Sequence, residues 1–145
     1  MCWVCYHGHV LIPTPANEKF KGVCPFHGKC LEGLASGPAI EARWGKKGSE
    51  LEPDHPAWVL EAEYLASALV NYIVVLSPQR IIIGGGVSHQ EQLFPIIHQK
   101  VQEKLNGYVD RKEILTGIED FIVPPGLGNQ AGILGCLVLA SQLTE

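Results

Sequence analysis

The run Cys24-Pro25-Phe26-His27-Gly28-Lys29-Cys30 constrains this chain more than any other feature. It places three good metal ligands at a C-x2-H-x2-C spacing. Zinc takes thiolate and imidazole ligands in a tetrahedron, and a structural site takes four. Two-residue spacers let the chain curl back with each ligand pointing inward, and Gly28 eases that curl. The run is therefore expected to close around one ion and to recruit a fourth ligand from elsewhere. His9 is the best candidate and His7 the alternative. The plainer reading is a buried pair of free thiols beside a surface histidine.

Five cysteines is an odd number, and six histidines accompany them. The first residues show no basic segment followed by an apolar one, so a cytoplasmic location is expected. In that setting metal ligands and free thiols are favoured over a disulfide framework. Cys2-Trp3-Val4-Cys5 also spells C-x-x-C, but no strand-to-helix context follows it, so plain thiols are the better reading. Net charge is -4 with no basic cluster, which disfavours a nucleic-acid partner. The apolar runs at Ile73–Leu76 and Ile81–Ile83 are far too short to span a bilayer, so no membrane association is expected. With 46% hydrophobic residues among 145, the chain can bury a real core as a single domain over 1–145.

Proline and glycine punctuate the rest. Leu31 to Ser36 reads as a short helix, and Pro38 opens another that runs through Trp44. Asp54 is placed to cap a long, largely buried helix over Ala57–Leu76. Arg80–Ile83 and Phe121–Val123 are short strands by β-branched and apolar content. Leu93–Leu105 is an amphipathic helix stopped at Asn106-Gly107, and Asn129–Leu143 is an apolar one. The order of elements indicates an α/β fold, helix-rich and with an incomplete sheet.

Two further features have chemical meaning. Glu32 follows the ligand run directly, where its carboxylate could accept hydrogen bonds from two sugar hydroxyls or simply sit at a helix start. Gly84-Gly85-Gly86 follows a strand and lets backbone approach a nucleotide, or merely makes a tight turn. It is neither a P-loop nor G-x-G-x-x-G. Gly126 to Gly132 reads as a helix start that faces a ligand or only packs. Surface or helix positions explain His55, His89 and His98, and Trp58, Tyr64 and Tyr72 read as core. No nucleophile system is evident.

The stretch from Cys24 through Leu31-Glu32-Gly33-Leu34-Ala35-Ser36-Gly37-Pro38 to Gly45 closely resembles the zinc-binding segment of bacterial fructokinases of the ROK family (repressors, open reading frames and sugar kinases). Arg80–Ser88 and Gly126–Gly135 resemble that family's nucleotide-side glycine segment and C-terminal helix start. The resemblance covers roughly residues 8 to 145. It implies an actin-like, ribonuclease-H-like ATPase fold, a homodimer, and ATP- and magnesium-dependent phosphorylation of D-fructose at its 6-hydroxyl. By position, His9, Cys24, His27 and Cys30 would be ligands of a structural zinc. His9 and Glu32 would lie nearest the sugar, and Gly84, Gly85 and Gly86 on the nucleotide side.

Departures from the family pattern are equally specific. Tyr6 stands where the family's Glu-x-Gly-His motif has its sugar-binding acid, and residues 1–7 are atypical. The phosphate-binding Asp-x-Gly-Gly-Thr segment and the general-base aspartate have no match, since Asp54, Asp110 and Asp120 sit in other contexts. The chain thus resembles a C-terminal, zinc-bearing half, expected to be inactive alone and to self-associate through apolar surface on the Ile81 strand and the Ile133 helix. The alternative is the sugar-sensing half of a ROK repressor, or a zinc-stabilised interaction fragment.

Overall fold

The computed structural model describes residues 7–142. Cys2, Cys5 and Tyr6 therefore lie outside the described residues. Helices α1 (Leu31–Leu34), α2 (Gly37–Trp44) and α3 (Ala57–Leu76) come first. Strand β1 (Ile81–Ile82) and helix α4 (Leu93–Leu105) follow. Then come α5 (Lys112–Leu115), α6 (Ile118–Phe121), β2 (Ile122–Val123) and α7 (Ala131–Gln142). The helix-rich chain with a small parallel sheet agrees with the α/β expectation.

Local chemistry explains the helix ends. Ser36 caps α2 by accepting from the Ala39 N–H at 3.3 Å, and Gly45 closes it in the left-handed region at φ 70°. Asp54 does not cap α3. Pro56 is the N-cap residue, and the preceding His55 accepts the Ala57 N–H on its Nδ1 at 3.1 Å while its ring stands edge-on to Trp44. The correction is geometric: the helix starts at Ala57, so Asp54 lies two residues before the cap position, and His55 is the side chain within reach of the first free amide.

Helix α3 is the spine. Its 20 residues make it long and apolar enough to cross a membrane by length and composition, which corrects the expectation that no run reaches that length. It is instead the core helix: Trp58, Ala62, Ala66, Leu69 and Ile73 pack on Leu93, Ile97, Val101 and Leu105 of α4. Lys100 and Lys104 of α4 both pair with Glu63 across that seam. A second apolar cluster of Ile12, Leu34, Tyr64 and Ala68 lies under the segment that carries the ligand run. Burying the large aliphatic side chains among these contributes roughly 1.5–3 kcal/mol each before entropy is counted.

The strands pair in parallel, Ile81 opposite Ile122 and Ile82 opposite Val123, with the Ile83 N–H donating to Val123 O at 2.9 Å. Phe121, expected in the strand, ends α6 instead. Its ring is buried in the α3–α4 core, and a helical turn delivers it there where an extended residue would alternate outward. Apolar surface remains open on α7, where Ile133 is 69% exposed, and on β1, where Ile82 is 63% exposed.

Candidate metal centre and glycine turn

The C-x2-H-x2-C run forms a tight hairpin. Cys24 and Gly28 make a one-residue bridge, and the Gly28 N–H donates to Cys24 O at 3.0 Å. Gly28 adopts φ 58°, which its lack of a side chain permits. Gly33 crosses directly beneath, and a Cβ there would overlap the Gly28 carbonyl oxygen. A Cβ on Gly22 would overlap the same oxygen. The Val23 N–H closes the base of the loop onto Gly33 O at 2.9 Å.

This hairpin brings Cys24, His27 and Cys30 together with His9. Cys30 pairs with Leu11 in an antiparallel bridge, and the Leu31 N–H donates to Val10 O at 2.9 Å, so residues 9–11 lie alongside the second cysteine. One ligand atom from each of the four residues lies within 4.8 Å of the others. Cys24 Sγ is 3.7 Å from His9 Nδ1 and 3.8 Å from His27 Nδ1. Cys30 Sγ is 3.6 Å from His9 Nδ1. A tetrahedron with metal–sulfur bonds of about 2.3 Å and metal–nitrogen bonds of about 2.0 Å has S···N edges of roughly 3.5 Å. The donor set and its spacing therefore fit one tetrahedral ion. His9, the preferred fourth ligand of the sequence reading, is the histidine that completes the group.

The two sulfurs differ. The His27 backbone N–H, donating at 3.4 Å, holds the Cys24 thiol down at about 6. Burial pushes the Cys30 thiol up. Glu32 reaches the far side of the His9 ring, its Oε2 lying 3.2 Å from Nε2, with its side chain 56% exposed. The carboxylate thus sits next to the ligand group while remaining open to solvent.

Sequence reasoning missed a largely buried polar cluster that ties Glu18 to α2 and α3. Arg43 of α2 donates from Nη1 to both oxygens of Glu18 at 3.1 and 2.9 Å, and from Nη2 to the Tyr64 oxygen at 3.2 Å. The Tyr64 hydroxyl donates to Glu18 Oε2 at 2.5 Å. The guanidinium lies over the Phe20 ring, 4.4 Å from its centroid. Burial works to raise the Glu18 carboxyl, but bonds from Tyr64, the Phe20 amide and Arg43 outweigh it and keep it low. Burial and Glu18 push the Tyr64 phenol up to about 12. No short motif signals this cluster, because its members come from three separate segments.

Gly84-Gly85-Gly86 lies apart from the metal group. It borders two cavities, one of about 900 Å³ reaching Pro125, Gly128 and Gly132 at the start of α7, the other of about 770 Å³ reaching Ser36, Lys47 and Trp58. Gly85 adopts φ 97°, open only to glycine without strain. His9, Cys24, His27, Cys30 and Glu32 line neither cavity. Asp54, Asp110 and Asp120 line neither one either. His98 is engaged by the Ile122 carbonyl at 2.9 Å, a structural contact.

Known proteins align along nearly the whole chain. The ROK family model matches residues 4–143. A putative fructokinase of Bacillus subtilis (strain 168) is 52% identical over 138 residues, covering 95% of this chain and 46% of the relative. A fructokinase of Pediococcus pentosaceus is 46% identical over 133 residues, covering 92% of this chain and 45% of the relative. A fructokinase of Zymomonas mobilis is 42% identical over 136 residues, covering 92% and 44% respectively. The chain spans a little under half the length of these relatives. A family model matched over this extent, around a Cys/His group with tetrahedral spacing, shows that the chain belongs to the ROK family.

Proposed function

We propose that this chain is the C-terminal, zinc-bearing half of an ATP-dependent ROK sugar kinase acting on D-fructose, with an actin-like ATPase fold completed by a further half. The observation that carries the reading is the four-ligand group with Glu32 against His9, in a chain similar to fructokinases. His9, Cys24, His27 and Cys30 would hold zinc. A d¹⁰ ion bound by four protein ligands supplies structure, with no open position for chemistry. Its effect here is to pin residues 9–11 and 24–33 as one wall. Glu32, exposed on that wall, is suited to accept hydrogen bonds from adjacent sugar hydroxyls. The Gly84–Gly86 turn offers backbone to a nucleotide in the cavities it borders.

Phosphoryl transfer needs the acceptor, the phosphate and the metal-bound charge held in line. No aspartate lines the glycine-flanked cavities, so the chain alone is expected to be inactive, with magnesium and ATP phosphates held largely by the other half. The repressor alternative is not favoured, since the relatives above carry fructokinase names.

Reconstitution tests this reading. The chain would be co-expressed with the N-terminal half of the Bacillus subtilis relative, and ADP release measured with and without fructose. Turnover that needs both halves and fructose is expected. A soluble, zinc-loaded complex without fructose-dependent turnover would overturn the kinase assignment.

A further inference from the structure

We propose that Glu18 is a positioning residue for the metal centre, tying the ligand loop to helices α2 and α3; this rests on the reading that His9, Cys24, His27 and Cys30 hold a metal ion.

The ligands come from two places in the chain, and the connection between them has no regular structure from 12 to 23. Its ends are fixed by the Leu11–Cys30 bridge and by the Val23 amide on Gly33 O. Between them, over residues 13–21, every hydrogen bond from the described residues to the rest of the chain runs through Glu18. Its carboxylate takes Arg43 and Tyr64. Its backbone carbonyl accepts from Lys29 Nζ at 3.1 Å. Lys29 stands between the ligands His27 and Cys30.

A continuous path follows. Arg43 and Tyr64 are set by α2 and α3, they fix the Glu18 side chain, and the Glu18 carbonyl in turn holds the lysine of the ligand loop. The anchor is firm because Glu18 and Arg43 side chains are only 7% and 14% exposed, and Phe20 and Tyr64 wall the guanidinium. Groups outside a metal's ligand set that fix its ligands typically alter metal affinity by about 10- to 100-fold when removed. Glu18 touches no ligand and acts one step further out, through Lys29, so an effect at the lower end of that range is expected.

The test uses metal release and cobalt spectra. Zinc dissociation into excess chelator and the visible spectrum of the cobalt-loaded protein would be measured for the native chain, Glu18→Gln, Tyr64→Phe, Lys29→Met and the Glu18→Gln/Lys29→Met double variant. Ile97→Val, in the α3–α4 core, serves as a control for stability alone. Glu18→Gln is expected to release zinc about tenfold faster and to alter the cobalt bands. Lys29→Met should speed release in the native background but add little to Glu18→Gln, because both ties act in series. The control should lower the melting temperature and leave release unchanged.

Native release and an unchanged cobalt spectrum in Glu18→Gln would overturn the proposal, whatever its melting temperature. Should Glu18→Gln fail to fold, Tyr64→Phe decides: it keeps the Arg43 pair and removes one donor, and native release from it overturns the proposal. A native chain that binds neither zinc nor cobalt would overturn the metal reading itself, and that result is distinguishable from the others.

Discussion

His9 turns Nδ1 toward the sulfurs of Cys24 and Cys30 and Nε2 toward Glu32, whose Oε2 is 3.2 Å away. The ring therefore joins the metal group to the exposed carboxylate. Such an arrangement fixes the ring's tautomer and raises its basicity as a ligand. Glu32→Ala is expected to retain zinc but to release it about tenfold faster, read by chelator competition. Glu32→Gln, whose amide oxygen still accepts from Nε2–H, should recover most of the difference.

One zinc ion per chain is the expected stoichiometry by elemental analysis. Cys24→Ser or Cys30→Ser should abolish it, because hydroxyl groups replace thiolates poorly for this ion. Stripping the metal from the native chain should lower its melting temperature, since binding free energy to a folded site is also stability.

Gly33→Ala should disrupt the ligand loop although Gly33 has no side chain to offer a metal. The added methyl would overlap Gly28 O and press on the Cys24 Cβ, and backbone cannot yield as a flexible side chain can. Loss of metal binding with the α3–α4 core still cooperative on melting is the expected result. Gly37→Ala, open to space, is the control and should change little.

Glu61 predicts a pH dependence. It is fully buried on α3, and burial raises its carboxyl to about 8, with the Arg43 charge pulling weakly the other way. Neither oxygen has a hydrogen-bond partner among the described residues. The folded protein then holds a proton that the unfolded chain has lost, so stability falls as pH rises from about 4.5 toward 8. Glu61→Gln should flatten that decline in denaturant melts across the window. Glu18 and Glu63, held low, act in the opposite sense and lose their contribution only as pH falls through their lowered values.

Self-association through α7 is the last expectation. Ile133, Leu137, Val138 and Leu139 are each more than half exposed on one short helix. Apolar surface of that kind marks an interaction site or an aggregation hazard. Sedimentation of the isolated chain should show dimers or larger species, and Leu137→Glu with Ile133→Glu should shift it toward monomer. A native monomer would remove the expectation.

The sequence by itself determined the punctuation and the close Cys/His spacing. Proline and glycine placed α2, α3 and α4 nearly at their observed ends, because these residues act on the backbone locally. The three ligands of Cys24–Cys30 were legible because so short a loop has little choice of closure, and the C-x2-H-x2-C spacing is specific. Helices α5 and α6, four residues each, were missed because one turn is too short to show a period. Only the tertiary structure decided the rest. Tyr64 meets Glu18 across 46 residues, and Glu61 is buried on a helix whose composition allowed it to face water. Such contacts arise when separate helices pack, and no local spacing records them. The Cys/His loop was legible in the chain; the meeting of Arg43, Tyr64 and Glu18 was decided by how α2, α3 and the segment around residue 18 come together.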